Sequence, residues 1–346
     1  MPKLLEEQLR DFSVANPDAT IRRIEFDIFG FSRGAAAARH CANELLKPGL
    51  GVFAELLQPG RFGLIPGFKP DADVSINLIG LFDTVAAIAA IGHFDLSVAN
   101  ADNTGVNLYL PPGCARQIVH LRARDECRHN FALNSLQGHN NIEISLPGVH
   151  SDIGGGYLPR GHERVFLTVL KNAKVKADRG VGSSPEWAAA CAQADLLRAS
   201  GLAGEGRIKP TAIFSGAPPR GPSESSDQNF MVSVELDRPV RGELALISLR
   251  LMRELGVRHG VPFKNLEERS DLALPEELQP IATHILEHAL AGSTLKLTAD
   301  QERLLRGRYI HQSANWTPSA GLLINKPAKE NERIVHRNYP QKGYPR

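Results

Sequence analysis

The segment FDIFGFSRGAAAARH, residues 26–40, decides the fold of this chain. It joins an apolar run, IEFDIF, to a run of small residues, AAAARHCANELL, through the pentapeptide GFSRG. This pentapeptide has the G-x-S-x-G pattern of a nucleophile elbow, a sharp strand-to-helix turn that forces the serine side chain outward. We expect both glycines to be required, because a Cβ atom at either position would collide in so tight a bend. The structural alternative is an ordinary turn in which Ser32 caps the helix.

Two further residues complete a possible nucleophilic site. A serine hydroxyl needs a base to take its proton and an acid to orient that base, and in sheets with this elbow the chain order is Ser, Asp or Glu, then His. Asp83 follows the apolar run INLIGLF, and His150 follows the run NIEISL. The carboxyl ends of parallel strands meet at one edge of the sheet, so the sequence predicts a triad of Ser32, Asp83 and His150. The alternatives are a turn or capping aspartate and a solvated loop histidine.

Other residues near these motifs have candidate roles. The backbone N–H of Arg33, at the start of the helix, is the predicted oxyanion donor. Asp152 is a second candidate for the acid, or a support for the histidine loop. His311 is a rival candidate base, and its alternative is a structural histidine near a helix end. The run GGG at residues 154–156 either turns the chain or lets a substrate approach the backbone.

Composition excludes several function classes. The 346 residues are 42% hydrophobic and 23% charged, which is typical of a globular protein. A net charge of +2 without a run of like charges argues against nucleic acid as a partner. The four cysteines lie far apart and form no CxxC, so neither a zinc site nor a disulfide framework is indicated. We expect no metal and no cofactor. The N-terminus, MPKLLEEQLRDF, lacks the apolar core of a signal peptide, which predicts a cytoplasmic location in the producing cell.

Strands and helices alternate over the first 150 residues, which predicts an α/β-hydrolase-like parallel sheet flanked by helices. We expect a partial catalytic core in residues 1–160, a mainly helical accessory region in 161–325 that completes or covers the core, and a loose basic tail in 326–346. The predicted strands cover residues 21–29, 75–82 and 141–146. The predicted helices cover residues 4–12, 33–46, 116–131, 185–200 and 243–255, and a capping box at residues 298–301 predicts the start of another helix. Residues 204–227 are predicted to form a loop.

Three stretches, FDIFGFSRGAAAARH, GLFDTVA and LPGVHSDIGGGY, resemble the α/β-hydrolase domain of the first class of type VI secretion lipase effectors, which are antibacterial phospholipases. The weaker segments ARDECRHNF, LALISLRLMREL and YIHQSANW fit the same family pattern. The resemblance places the family's catalytic serine on Ser32, its aspartate on Asp83 and its histidine on His150. It implies hydrolysis of glycerophospholipid acyl esters with release of fatty acid and lysophospholipid.

The same resemblance implies a phospholipid membrane as the substrate, a secretion spike protein and an immunity protein as partners, and delivery to the periplasm of a target cell. Family members carry an upstream region with an early strand and an FDGT-like segment, and nothing before Ile21 resembles it. We therefore expect the chain to lack the neighbouring strands and the second oxyanion donor that this region supplies. Two other functions are alternatives: a generic soluble carboxylesterase, and an inactive truncated homologue that acts as a binding module.

Overall fold

A computed structural model describes residues 2–47, 49, 51–86, 105–136, 141–176, 178–214, 227–266 and 269–340. The strands are β1 (Ile24–Phe31), β2 (Val74–Phe82), β3 (Gln117–Ala123), β4 (Leu133–Asn134), β5 (Ile142–Leu146), β6 (Gly161–Phe166), β7 (Lys171–Lys176), β8 (Arg207–Phe214), β9 (Asp227–Val240) and β10 (Val335–His336). The α-helices are α1 (Pro2–Ala15), α2 (Arg33–Leu45), α3 (Pro70–Asp73), α4 (His150–Gly154), α5 (Pro185–Ala199), α6 (Ala245–Arg258), α7 (Gln279–Leu290) and α8 (Ala299–Arg308).

A parallel sheet in the order β1-β2-β3-β5 forms the centre of the molecule. Its central strands are apolar because helices cover both faces. On one face Ile79 and Leu81 belong to a buried cluster with residues of α2. On the other face Leu78 and Leu121 belong to a cluster with residues of α6. The predicted parallel sheet flanked by helices is therefore confirmed.

The register of this sheet places the ends of its strands at one edge. The last residue of β1, Phe31, is opposite Phe82, the last residue of β2. Phe82 in turn is opposite Leu121 of β3, two residues before that strand ends. The residues that follow β1, β2 and β5 are consequently close in space. In the part of the chain that is described, β1 pairs with β2 alone and is an edge strand of this sheet.

Residues 116–131, predicted to be helical, form the buried strand β3 followed by a turn region. The charged residues in this segment suggested an amphipathic helix, but β3 lies between β2 and β5 and is covered on both faces. Its polar residue His120 is fully buried and is hydrogen-bonded to Glu143 of β5. A central strand tolerates a buried polar residue when its hydrogen-bond partner comes from the next strand, which is why this segment is a strand despite its polar residues.

The region after residue 160 is not mainly helical, which corrects the sequence-based expectation. It begins with an antiparallel sheet in which the long strand β9 pairs with β6, β7 and β8. Helix α5 packs on one face of this sheet, and their buried cluster includes Ala194, Ile208 and Val234. The predicted loop at residues 204–227 contains β8, while residues 215–226 lie outside the described part. Helices α6, α7 and α8 follow, and α8 begins at the predicted capping box, whose members are Thr298 and Gln301.

The predicted loose tail is ordered through residue 340. We call residues 327–340 the C-terminal segment. Within it β10 runs parallel to β4, with Val335 opposite Leu133. The side chain of Asn338 accepts hydrogen bonds from Arg39 and from the backbone N–H of Leu110. The expectation of a loose tail is thus wrong for this segment, and residues 341–346 lie outside the described part. No helix among the described residues is long and apolar enough to span a membrane.

Candidate active site

Ser32 lies between β1 and α2 with φ 57° and ψ −122°, a conformation that non-glycine residues rarely adopt. Its N–H donates to the carbonyl of Phe82 at 3.0 Å, and its carbonyl accepts from the N–H groups of Ala35 and Ala36. These bonds hold the strained turn, as is common at functional sites. The Ser32 side chain makes no capping hydrogen bond to α2, so the capping alternative is wrong.

The two glycines of the elbow differ. A Cβ atom at Gly30 would lie 2.3 Å from the carbonyl oxygen of Gly34, so a side chain at Gly30 has no space. A Cβ atom at Gly34 would meet nothing within 4 Å. The expectation that both glycines are required is therefore wrong for Gly34, because this residue already lies in the helix and faces open space.

The structure brings together the three residues predicted as a triad. The His150 Nε2 atom lies 2.8 Å from Ser32 Oγ, and His150 Nδ1 lies 2.6 Å from Asp83 Oδ2. A carboxylate beside Nδ1 assigns the ring proton to that nitrogen and leaves Nε2 free to accept the serine proton. The three groups therefore form the hydrogen-bonded chain that activation of a serine requires.

Two aromatic rings hold the imidazole of His150. The ring of Phe31 lies 4.6 Å from the imidazole centroid, and the ring of Phe131 lies edge-on at 4.8 Å. A Cβ atom at Gly154 would lie 2.0 Å from the ring of Phe31, so this glycine makes room for that ring. Gly155 and Gly156 have φ values of 83° and 121° and turn the chain. The glycine run thus serves both the turn and the packing beside His150.

Asp83 has a partner that the sequence did not indicate. Arg333, in the C-terminal segment, donates from Nη1 to Asp83 Oδ1 at 2.7 Å and from Nη2 to Oδ2 at 2.8 Å. The backbone N–H of Ala123 also donates to Oδ1, at 2.9 Å. Burial raises the pKa of Asp83, but Arg333 and the hydrogen bond from His150 outweigh it and hold that pKa well below its usual range. Asp83 is therefore a carboxylate at every pH near neutrality.

Asp152 and His311 form a second pair beside the triad. Asp152 accepts from the backbone N–H of Val149 at 3.0 Å, from the N–H of His311 at 3.1 Å and from His311 Nδ1 at 2.7 Å. The ring of His311 stacks on Tyr157 with a centroid distance of 3.5 Å. Among the described residues, the hydrogen bonds of this pair do not reach Ser32. The geometry thus gives Asp152 the role of loop support, and it does not bring His311 to the serine as a base.

A second buried carboxylate near the triad, that of Glu126, was not among the predicted site residues. It accepts from the backbone N–H of His150 at 3.2 Å, from the hydroxyl of Ser313 at 3.0 Å and from Arg128 at 3.0 Å. Burial raises the pKa of Glu126, but the hydrogen bonds and the charge of Arg128 outweigh this rise and hold the pKa below its usual value, so the carboxyl group is charged. Glu126 and Asp152 together connect the turn that carries His150 to residues 311–313. In the sequence, Glu126 lies in the segment ARDECRHNF, and His311 and Ser313 lie in YIHQSANW, so these two weaker segments of the family pattern contained a signal for the network besides Asp152.

The predicted oxyanion donor lies at the exposed start of α2. Arg33 is the first residue of that helix, and the first N–H groups of a helix have no acceptor within it. Beside it is a cavity of about 450 Å³, lined by Arg33, Gly34, Ala37, Ala38, Phe53, Val106 and neighbouring residues, most of them apolar. An apolar cavity therefore adjoins the elbow. Among the described residues there is no group of three or more His, Cys, Asp or Glu side chains that could hold a metal ion.

Comparison with known proteins gives two informative matches. Residues 67–175 match the family model of the catalytic domain of Tle1-like phospholipase effectors of the type VI secretion system. A solved structure, that of the Tle1 effector bound to the VgrG spike from the type VI secretion system, is 28% identical in sequence. That match covers 96% of this chain and 71% of the other, with a TM-score of 0.79.

One further structural match is weak, and the comparison with curated proteins gave none. The crystal structure of an uncharacterized protein from Pseudomonas aeruginosa is 22% identical, covers 88% of this chain and 33% of the other, and has a TM-score of 0.39. No match was found among curated proteins. The two matches agree with each other: residues 67–175 are similar to the catalytic domain of Tle1-like phospholipase effectors of the type VI secretion system, and the fold is similar to that of the Tle1 effector.

Proposed function

We propose that this chain is a serine hydrolase that cleaves acyl esters of glycerophospholipids as an antibacterial type VI secretion effector. The observation that carries the proposal is the hydrogen-bonded series Ser32–His150–Asp83 at the carboxyl edge of the parallel sheet. In this proposal Ser32 is the nucleophile, His150 the base and Asp83 the orienting acid, and support comes from the sheet register, which brings the carboxyl ends of β1, β2 and β5 together. The family match supports phospholipid as the substrate class.

The proposed reaction follows from this geometry. His150 Nε2 takes the proton as Ser32 Oγ attacks the ester carbonyl, and Asp83 stabilises the imidazolium that forms. In the proposed reaction the backbone N–H of Arg33, at the first position of α2, donates to the developing oxyanion. His150 then gives its proton to the departing glycerol oxygen, which releases lysophospholipid and leaves the acyl group on the serine. Water, activated by the same histidine, hydrolyses this acyl-enzyme and releases fatty acid.

The apolar cavity beside Arg33 and Gly34 favours an ester with a long acyl chain over a small soluble ester. We propose that the substrate is a phospholipid membrane in the periplasm of a target cell. The relative of known structure is bound to a VgrG spike, which supports a spike protein as the carrier of this chain as well. An immunity protein in the producing cell is the further partner that we propose.

The test compares fatty-acid release by the wild type, Ser32→Ala and Ser200→Ala from vesicles of phosphatidylethanolamine and phosphatidylglycerol. Ser200 is an exposed serine at the end of α5 and serves as the matched control. We expect Ser32→Ala to lose at least about 10³-fold in rate and the control to match the wild type. Unchanged release by Ser32→Ala would remove the serine from the mechanism.

Two additional measurements separate the alternatives. A fluorophosphonate probe labels an activated serine, so labelling of wild type but not of Ser32→Ala contradicts the inactive binding-module alternative. Faster hydrolysis of a soluble short-chain ester than of the vesicles would instead favour a generic carboxylesterase. We expect labelling of Ser32 and a preference for the vesicles.

A further inference from the structure

We propose that Arg333 is a positioning residue of this site: its guanidinium fixes the plane of the Asp83 carboxylate and thereby the orientation of His150. The proposal rests on the proposed function, because it assigns a role within the same triad. It starts from the geometry of the pair. Two guanidinium nitrogens face two carboxylate oxygens at 2.7 and 2.8 Å, a bidentate arrangement that fixes direction as well as distance.

Each carboxylate oxygen of Asp83 has two hydrogen-bond donors, and Arg333 supplies one of the two in both cases. Oδ1 accepts from Ala123 N–H and Arg333 Nη1, while Oδ2 accepts from His150 Nδ1 and Arg333 Nη2. Each oxygen therefore has two donors. Without Arg333 each oxygen keeps one donor, so the plane of the carboxylate is fixed less tightly. A rotated carboxylate no longer directs the ring of His150 toward Ser32.

Arg333 also acts on the other side of the imidazole. Its Nε donates to the carbonyl of Phe131 at 2.8 Å, and the ring of Phe131 lies edge-on against His150. One guanidinium thus binds both the acid and the backbone of an aromatic residue that contacts the base. A lysine has a single charged nitrogen and cannot make these three contacts at once.

The backbone that carries Arg333 is itself fixed. The N–H of Leu133 donates to the carbonyl of Ile334, and the N–H of Ser135 donates to the carbonyl of His336. Asn338, farther along the segment, accepts from Arg39. The side-chain exposure of Arg333 is 8% and that of Asp83 is 0%, so the pair is shielded from solvent. A guanidinium held this firmly in a buried site is suited to fixing the orientation of the Asp83 carboxylate.

The charge of Arg333 has a separate consequence for pH dependence. The charged or titratable groups that face Asp83 are Arg333, His150 of α4 and, farther away, His120 of β3, whose pKa burial lowers so that it is neutral. Glu126 lies within electrostatic reach of Arg333. Since burial alone raises the pKa of Asp83, loss of Arg333 moves that pKa upward. Loss of Arg333 also removes a positive charge beside the coupled pair of His150 and Asp83, so the pair takes up a proton at higher pH and the acid limb of the rate profile should move to higher pH.

The experiment compares wild type, Arg333→Gln, Arg333→Lys and Asn338→Ala by vesicle hydrolysis over a pH series and by thermal unfolding. Asn338→Ala is the matched control, since it loosens the same C-terminal segment without touching the triad. We expect Arg333→Gln to lower kcat by about 10²-fold, with little change in KM, and to move the acid limb upward. Compared with Arg333→Gln, Arg333→Lys should restore part of the wild-type rate and should bring the acid limb most of the way back to its wild-type pH. Asn338→Ala should lower Tm and leave the limb in place.

A spectroscopic readout separates this proposal from the proposed function. The Nδ1–H proton of His150 reports its hydrogen bond to Asp83 by NMR, whether or not any lipid is cleaved. We expect its resonance to move or broaden in Arg333→Gln and to remain in Asn338→Ala. If the resonance and the acid limb are the same in Arg333→Gln as in the control, Arg333 only anchors the segment and the proposal is wrong. Absence of hydrolysis by wild type would count against the proposed function alone.

Discussion

Gly30 and Gly34 are the same residue type in one motif, yet only one of them is sterically required. We expect Gly30→Ala to destabilise the fold by about 1–3 kcal/mol, because its Cβ would lie 2.3 Å from a backbone oxygen that cannot move without bending β1 or α2. We expect Gly34→Ala to unfold at the same or a higher temperature, since its Cβ meets open space and alanine favours a helix over glycine by about 1 kcal/mol.

Urea denaturation of the two variants measures this difference, and each variant is the control for the other. Fluorophosphonate labelling then reports whether the elbow still presents Ser32. Equal stability of Gly30→Ala and wild type would show that the close approach of β1 to α2 relaxes without cost, which contradicts the expected result.

The individual residues of the site differ in how well the sequence predicted them. Ser32, Asp83 and His150 each follow an apolar run, and the rule that parallel strands end at one edge is enough to bring them together. Arg333 has no such local signal: it lies in a basic stretch with prolines, and its carboxylate partner is 250 positions away in the chain. Contacts of this kind come from tertiary packing, which local patterns do not report.

At the scale of elements, the strands of the parallel sheet had a clear local signal in the sequence, whereas those of the antiparallel sheet did not. The strands β1, β2 and β5 were predicted within a few residues because parallel, covered strands are continuous apolar runs. The strands β6 and β7 were missed because they alternate charged and apolar residues, as in the run KNAKVK of β7, whose Ala173 and Val175 alone are buried. Strand β8 was missed because it lies inside the segment 204–227 that was predicted to be a loop. Alternation over short, polar strands is a weaker signal than a continuous apolar run.

The turn that leads into α4 depends on the pair formed by Asp152 and His311, and His311→Ala tests this dependence. The variant leaves a buried carboxylate without its side-chain partner, so we expect a loss of about 3–5 kcal/mol in the free energy of unfolding near neutral pH. Burial raises the pKa of Asp152, while the bond from His311 opposes that rise. Without His311 the folded-state pKa rises further above the unfolded value.

The sign of the pH effect follows from this shift. A carboxyl whose folded-state pKa is raised contributes its stability at pH below the unfolded value, and the contribution is lost as pH rises through the folded pKa. We therefore expect His311→Ala to be less destabilised relative to wild type at about pH 5 than at about pH 8, as measured by urea denaturation. His162→Ala is the control, because His162 pairs with Asp237 on the surface. A pH-independent loss would mean that Asp152 does not titrate in this range.

At the scale of the whole molecule, buried arginines connect parts of the chain that are far apart in sequence. Arg39 of α2 donates to the carbonyl oxygens of Leu108 and Asn134 and to the side chain of Asn338. Burial lowers the pKa of Arg39 to about 10, so it remains a cation at neutral pH. This side chain joins helix α2 to the C-terminal segment, which explains why the tail is ordered despite its polar composition.

Arg238 makes the corresponding connection for the antiparallel sheet. It extends from β9 and donates to Glu163 of β6 and to the carbonyl oxygens of Leu202, Arg306 and Ile310, each at 2.6 Å. Ile310 directly precedes His311, so this one side chain connects the antiparallel sheet to the segment that supports the turn carrying His150. We therefore expect a change at Arg238 to lower both the stability of the fold and the rate of hydrolysis.

Arg238→Met keeps a long side chain but removes every donor, and it leaves the carboxylate of Glu163 and three carbonyl oxygens without this partner. We expect a loss of about 3–5 kcal/mol in the free energy of unfolding by urea denaturation, together with slower vesicle hydrolysis. Arg207→Met is the matched control, because Arg207 pairs with Asp237 on the surface of the same sheet and such pairs contribute little. Equal midpoints for the two variants would mean that the antiparallel sheet is held to the segment before His311 by apolar packing alone.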